Sequence, residues 1–428
     1  MTSEVVLMNR QAVAMAADSA VTITGGGYLK TYQSVDKLFP LVDGQPIGVM
    51  IYNNAELMST PWETVISLYR DQARGRAPLD SLEAYSRDFM HFLSGNTELF
   101  SQEHQDTEFF KHVAVVLSIV ADDFDFQLQQ LQQSQAGRVR DHVSACFAYV
   151  VDELYGDLTR NLDGSARGRL DVFPEGTEAQ LLRRYGAEVD ELIGSLIAAL
   201  KNEFPMLSVS QESTARLRDI AVMSVTQDAF FEHYTGVVFA GFGRSDKFPS
   251  MRSYLCSTIV MGTLKHRMDR AQDMTADSGP VIAPFAQDRM IRTFLTGMDT
   301  QLRMFLFGET LKLSSHLVSD VIGRAPGMND EQRARLLHDY SEGNLAGALR
   351  SFFGAVDQFQ YRTHTMPILR AVGVLPKKEL GETAASLIKL NSFQQKVMHS
   401  VETVGGPISL ATISRSEGMV MGKERAQL

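Results

Sequence analysis

The chain has 428 residues, a formal net charge of -10 and a 44% hydrophobic composition. That length is ample for a large core and allows two or three domains. The acidic balance and the lack of any Lys/Arg tract argue against nucleic acid as a partner, because phosphate affinity is built from clustered cations. The first residues have no basic start or sustained apolar stretch, so no signal peptide is expected. The longest apolar run, near residues 113–121, is too short to span a bilayer, so no membrane partner is expected. Cys146 and Cys256 read as buried thiols, which fits a cytoplasmic location. Ten histidines without ligand-like spacing suggest no metal site, and no cofactor is expected.

In chain order, residues 5–8 are apolar, Asn9, Arg10 and Gln11 form a polar break, and residues 12–17 are apolar again. The pattern predicts strand, turn, strand, with both faces covered. A third strand is expected to end in Lys37-Leu38-Phe39, and another to lie at residues 47–51. Thr60, Pro61 and Glu63 have the spacing of a capped helix start, predicting a helix to about Ala73. Residues 74–205 carry apolar residues at three-and-four spacing, with a Gln-rich stretch near 128–135, and read as mostly helical. A helix over 213–233 follows, then strands at 236–243, 252–262 and 280–284 and a helix over 287–295. Residues 299–375 read as a second helical segment. Residues 379–399 read as a last long core helix, with Leu387, Leu390 and Phe393 on one face.

The chemistry concentrates at the start. If Met1 is removed, Thr2 carries both a nucleophilic hydroxyl and a free α-amine able to serve as its base. Such an amine has a reference pKa of about 8, close enough to neutrality for proton transfer. The predicted hairpin at residues 9–11 brings Asp18 back beside Thr2. Lys37 in the same corner disfavours protonation of the amine, while Asp18 holds Lys37 charged and oriented. Against this stands the commoner fate of each residue: an unused second-position threonine, a turn-forming aspartate and a solvated lysine.

Residues 12–22, Ala-Val-Ala-Met-Ala-Ala-Asp-Ser-Ala-Val-Thr, followed by Lys37-Leu38-Phe39 and Ile-Gly-Val-Met-Ile at 47–51, resemble the opening of a proteasome β subunit. The peptidase subunit of the bacterial two-component protease begins in a similar way. Counted from Thr2, Asp18 falls on the family's acidic position without a gap. Lys37 falls on its catalytic lysine after a short insertion around Gly25, Gly26 and Gly27. Gly-Val-Val-Phe-Ala-Gly-Phe-Gly at 236–243 agrees, and so does Glu-Thr-Val-Gly-Gly-Pro-Ile-Ser-Leu-Ala-Thr-Ile at 402–413 followed by Glu417 and Gly418.

The resemblance implies an α+β fold, the four-layer αββα sandwich of N-terminal-nucleophile hydrolases. Two mainly helical insertions divide it: core at 1–73, insertion at 74–205, core at 206–297, insertion at 298–375 and core at 376–428. In this arrangement the helix capped at Thr60 and running to about Ala73, and the helix over 213–233, match the family's first two. The resemblance also implies threonine-dependent hydrolysis of a peptide or protein substrate, a homo-oligomer of ring form, and an ATP-dependent unfoldase as partner. The chain departs from the family at two places. Asn53 stands where a glycine usually offers its N–H to the oxyanion, and asparagine tolerates the left-handed backbone such a position needs. Val401 and Val404 stand where an Asp and a Ser usually order the nucleophile's amine, with Glu402 or Thr403 as substitutes from a shifted register.

The remaining candidates are weaker. Gly241-Phe242-Gly243 resembles a phosphate-loop fragment without its Lys-Ser/Thr, Ser278-Gly279-Pro280 reads as a turn, and the twenty methionines read as core filling. Tyr52 and Trp62 are candidates to shape a pocket near Thr2. Three readings stay open: a threonine peptidase acting through Thr2, Asp18, Lys37 and Asn53; an amidohydrolase of the same fold acting on a small amide; and a non-catalytic assembly subunit.

Overall fold

The structure, a computed structural model, describes residues 2–25, 28–32, 35–134, 139–161, 163–231, 234–340, 345–398 and 406–424. The chain opens with β1 (Ser3–Met8) and β2 (Ala12–Asp18), an antiparallel hairpin in the register Glu4 to Ala17. Asn9 makes the turn: its Oδ1 accepts from the N–H groups of Gln11 and Ala12 at 3.0 and 3.1 Å. A side chain that bonds the backbone two or three residues on is what turns a polar break into a reversal.

A small hairpin of β3 (Val21–Gly25) and β4 (Tyr28–Tyr32) follows, then β5 (Leu38–Pro40) and β6 (Ile47–Asn53). Two short strands, β7 (Glu56–Leu57) and β8 (Thr60–Pro61), lead into α1 (Trp62–Ala73). Thr60 therefore does not cap α1 as expected: it pairs with Leu57, and the cap position falls to Pro61, which has no side-chain bond to give.

Next come α2 (Leu82–Gly95), α3 (Gln102–Ser134), α4 (Val139–Thr159), α5 (Thr177–Glu203) and α6 (Gln211–Thr226). Strands β9 (Thr235–Gly241), β10 (Ser250–Val260), β11 (Thr263–Asp273) and β12 (Val281–Ala286) are followed by α7 (Arg289–Thr296). Helices α8 (Thr300–Gly323), α9 (Asp330–Asp339), α10 (Ala346–Gln360) and α11 (Met366–Val374) fill the second helical segment, a π-helical turn joining the last two. The described chain ends with α12 (Lys377–Met398), β13 (Ile408–Ser414) and β14 (Gly418–Glu424).

The strands form two antiparallel five-stranded sheets, in the orders β12-β1-β2-β13-β14 and β11-β10-β9-β6-β5. Their facing sides share one apolar core: Val6, Met8 and Met15 from the first sheet meet Met50, Val238 and Met251 from the second. The first sheet's outer face is covered by α7, α11 and α12, and the second's by α1 and α2. The chain is thus α+β, with helices outside two packed sheets. Alternation along β2 explains how closely α12 lies. Ala12, Ala14 and Ala16 face it and meet Ala384, Ala385 and Ile388, while a Cβ on Gly381 would come within 2.7 Å of Thr412.

Four differences from the sequence reading have physical causes. Strand β11 was missed because Lys, His, Arg and Asp interrupt its pattern; it lies at a sheet edge, where one side needs no apolar partner. It is joined to β10 through Met261 and Gly262, both at positive φ (51° and 76°), as a two-residue hairpin requires. Second, α2 falls within the expected insertion yet packs on the second sheet. Helix α6, expected in the sheet layers, buries Leu217, Ile220 and Val225 with α3, α4 and α5 in a separate helical core. Third, Lys37 immediately precedes β5 instead of lying in it. Fourth, Phe393 is 52% exposed; the buried stripe of α12 runs through Leu380, Ala384, Ile388, Asn391 and Gln395. Among the described residues no helix is long and apolar enough to cross a membrane.

Candidate active site

Thr2 lies just ahead of β1, the second strand of the first sheet, and its carbonyl accepts from the N–H of Gln287 at 2.9 Å. That bond extends the β1–β12 ladder by one step and fixes the head of the strand. Thr2 is 5% exposed, and its Oγ1 is buried with no hydrogen-bond partner among the described residues. A buried hydroxyl left without a partner costs free energy on the order of 1–3 kcal/mol, so it calls for an explanation.

The hairpin brings Asp18 to Ser3, whose N–H donates to Asp18 Oδ1 at 3.0 Å. The same oxygen accepts from Lys37 Nζ at 2.9 Å, and the ammonium also donates to the Ala20 carbonyl at 2.5 Å. Lys37 arrives from the second sheet, where its own carbonyl accepts from the N–H of Ile51 at 2.8 Å. Both side chains are buried, which protects the pair from solvent screening. The hairpin and the sheet stacking together produce the corner that the spacing predicted.

Asn53 ends β6 with φ at 72°, the left-handed region expected of it, and its Nδ2 donates to the Tyr234 carbonyl at 2.8 Å. Thr2, Lys37, Tyr52, Asn53 and Trp62 line one cavity of about 130 Å³, with Asp18 behind Lys37. The Tyr52 ring packs against Phe285, their centroids 5.6 Å apart, and the Trp62 indole N–H donates to Thr235 Oγ1 at 3.0 Å. Both therefore line the cavity that Thr2 lines. Met1, Val401, Glu402, Thr403 and Val404 lie outside the described residues.

Three further residues were not anticipated. Glu4 is fully buried and neither of its carboxyl oxygens has a hydrogen-bond partner among the described residues. Burial pushes its carboxyl well above the usual range; Lys37 opposes the shift and Asp18 adds to it. Asn391 on α12 donates to Ser3 Oγ and to the Gln287 carbonyl, each at 2.8 Å, tying both sides of the Thr2 segment to one helix. Ser19 Oγ donates to the Pro407 carbonyl at 2.8 Å, binding the loop after Asp18 to the approach to β13. A glutamate leading directly into the apolar run at residues 5–8 and an asparagine in the stripe of Ala384 and Ile388 were the available signals.

No family model matches the chain. No curated protein matches it either.

The candidate site gathers a buried hydroxyl, a lysine paired with a carboxylate, and a left-handed backbone turn, with Thr2, Lys37 and Asn53 lining one cavity. Among the described residues, no group of three or more His, Cys, Asp and Glu is gathered to hold a metal ion. Cys146 and Cys256 are free and buried, and burial pushes both thiols up.

Proposed function

We propose that this chain is a proteasome-like threonine peptidase of the N-terminal-nucleophile hydrolase fold, acting through Thr2 once Met1 is removed. The observation that carries the reading is the unpartnered, buried Thr2 hydroxyl in a cavity it shares with Lys37. Thr2 Oγ attacks the substrate carbonyl carbon while the freed α-amine accepts the hydroxyl proton. The positive charge of Lys37, held by Asp18, disfavours a second charge on that amine and keeps it basic. The backbone N–H of Asn53 stabilises the tetrahedral oxyanion. The carbon–nitrogen bond then breaks, the leaving amine takes the proton, and water activated by the same α-amine hydrolyses the Thr2 ester.

A second reading, an amidohydrolase acting on a small amide, is favoured by the cavity's volume of about 130 Å³. Ligand sites more often measure roughly 300–1,000 Å³. We further propose that the chain is cytoplasmic and assembles with its own copies, in a ring served by an ATP-dependent unfoldase. Met304, Phe305, Leu313, Leu317, Phe352 and Phe359 on α8 and α10 are all more than half exposed, an apolar surface suited to burial against another chain.

Intact mass measurement tests the first requirement: a chain retaining Met1 refutes both hydrolase readings and leaves the non-catalytic subunit. With Met1 gone, a threonine-directed electrophile should label the wild type but neither Thr2→Ala nor Lys37→Ala. Hydrolysis of short peptides against simple primary amides separates the two enzymes, and light scattering should give a multiple of the single-chain mass.

A further inference from the structure

A second cavity, of about 270 Å³, adjoins the first, and Asn54 and Glu56 line both. One wall comes from α3, the longest helix of the inserted helical core, through Glu108, Lys111, His112 and Val115. The opposite wall comes from β10, through Cys256, Ser257 and Thr258. Thr258 is 6% exposed, yet its Oγ1 is buried without a partner among the described residues. A buried, unpaired hydroxyl leaves a hydrogen bond to be made, as donor or acceptor, and the charged neighbours decide which.

The charges give the missing partner its sign. Glu108 and Glu56 are the carboxylates of the lining, and Lys111 is its ammonium. Lys111 is already held by Glu108 at 2.6 Å and is 59% exposed, and His112 Nε2 is engaged with Ser224 Oγ at 3.1 Å. Among the described residues no cation pairs with Glu56 at salt-bridge distance, so the lining keeps a negative excess. Met58, Val115 and Cys256 supply apolar surface between the shared rim and the polar wall.

We propose that this cavity is a substrate-recognition subsite for a side chain with an aliphatic stem and a cationic tip, an amine or guanidinium. The tip is received by Glu108, Glu56 and Thr258 Oγ1. The inserted helical core thereby sets specificity at the Thr2 centre. The proposal rests on Thr2 as the reacting residue only for the orientation of the bound chain.

The test is calorimetric binding to the Thr2→Ala protein, which cannot consume its ligand. The probes are alanine tetrapeptide amides carrying one lysine at each position in turn, compared with the same peptides carrying acetyl-lysine. At one position lysine should bind about tenfold tighter than acetyl-lysine, the worth of one hydrogen bond to a charged group. That preference should disappear on adding Glu108→Gln and shrink on adding Thr258→Val, in variants whose circular dichroism matches the parent. Equal binding of both peptides, no binding at all, or a preference that survives Glu108→Gln and Glu56→Gln together overturns the proposal. Wild-type hydrolysis of the same peptides is read separately. A lysine preference in binding without cleavage sinks the peptidase reading alone, and cleavage with no binding preference sinks the subsite alone.

Discussion

Lys37 reaches from the second sheet to Asp18 at the end of β2 in the first, closing a 2.9 Å ion pair with both side chains buried. Removing one member leaves the other charge buried and uncompensated, which typically costs about 3–5 kcal/mol. Lys37→Met and Asp18→Asn should each lower the unfolding free energy by about that much in urea titrations. The double variant should recover part of the loss, since contacting residues are not additive. Fully additive losses would mean that the pair does not tie the sheets together. Peptide hydrolysis by Lys37→Met should fall by roughly 10²–10⁴-fold if the amine depends on it.

Glu4 carries a pH signature of its own. Its folded-state pKa lies well above the ordinary value of 4.5. Above that ordinary value the unfolded chain releases the proton while the folded chain retains it, so folding loses stability as pH rises. Glu4→Gln removes the penalty. Its stability gain over the wild type should grow by up to about 1.4 kcal/mol per pH unit upward from about pH 4.5. A gain that stays flat between pH 4 and 7 would contradict the burial argument.

Lys265 runs the other way. Its Nζ donates to the carbonyls of Ser224 and Ala229 at 2.6 and 2.5 Å, joining β11 to the end of α6. Burial pulls the ammonium down to about 7, against a weaker upward pull from Asp228. Between about pH 7 and 10 the unfolded chain therefore binds more protons, and the residue's contribution to stability rises with pH. The wild type should gain on Lys265→Met by up to about 1.4 kcal/mol per unit across that window. Parallel pH profiles of the two proteins would refute the assignment.

Asn391 supports the Thr2 segment and is not among the residues that line its cavity. Asn391→Leu removes the donor from Ser3 Oγ and from the Gln287 carbonyl. Stability should fall by about 1–3 kcal/mol. Because Gln287 also holds the Thr2 carbonyl, kcat for peptide hydrolysis should drop while KM changes little. An unchanged kcat in a destabilised variant would limit Asn391 to a structural role.

Gly236 sits under the Tyr52 ring, where an added Cβ would lie 1.9 Å from Cζ. Gly236→Ala should cost about 1–3 kcal/mol through overpacking, and much less in a Tyr52→Ala background. Equal costs in both backgrounds would show that the ring moves aside freely.

Short-range patterns were enough for the opening hairpin, the strands ending in Asn53 and Gly241, and the meeting of Asp18 with the head of the chain. Each depends on contacts within some fifteen residues, such as the bond from the Ser3 N–H to Asp18, or on strictly local turn chemistry at Asn9. The left-handed backbone at Asn53 was expected only through the family resemblance, which puts a glycine at that position. Other features were not legible. An apolar stripe at helical spacing looks the same whether it covers a sheet or another helix, so α2 and α6 could not be told apart by where they pack. The bond from Asn391 to Ser3 spans 388 positions, and the cavity that Glu108 and Thr258 both line joins a helix to a strand far along the chain. Those meetings exist only because two sheets and their covering helices close around a common interior, and no local periodicity records which surfaces will touch.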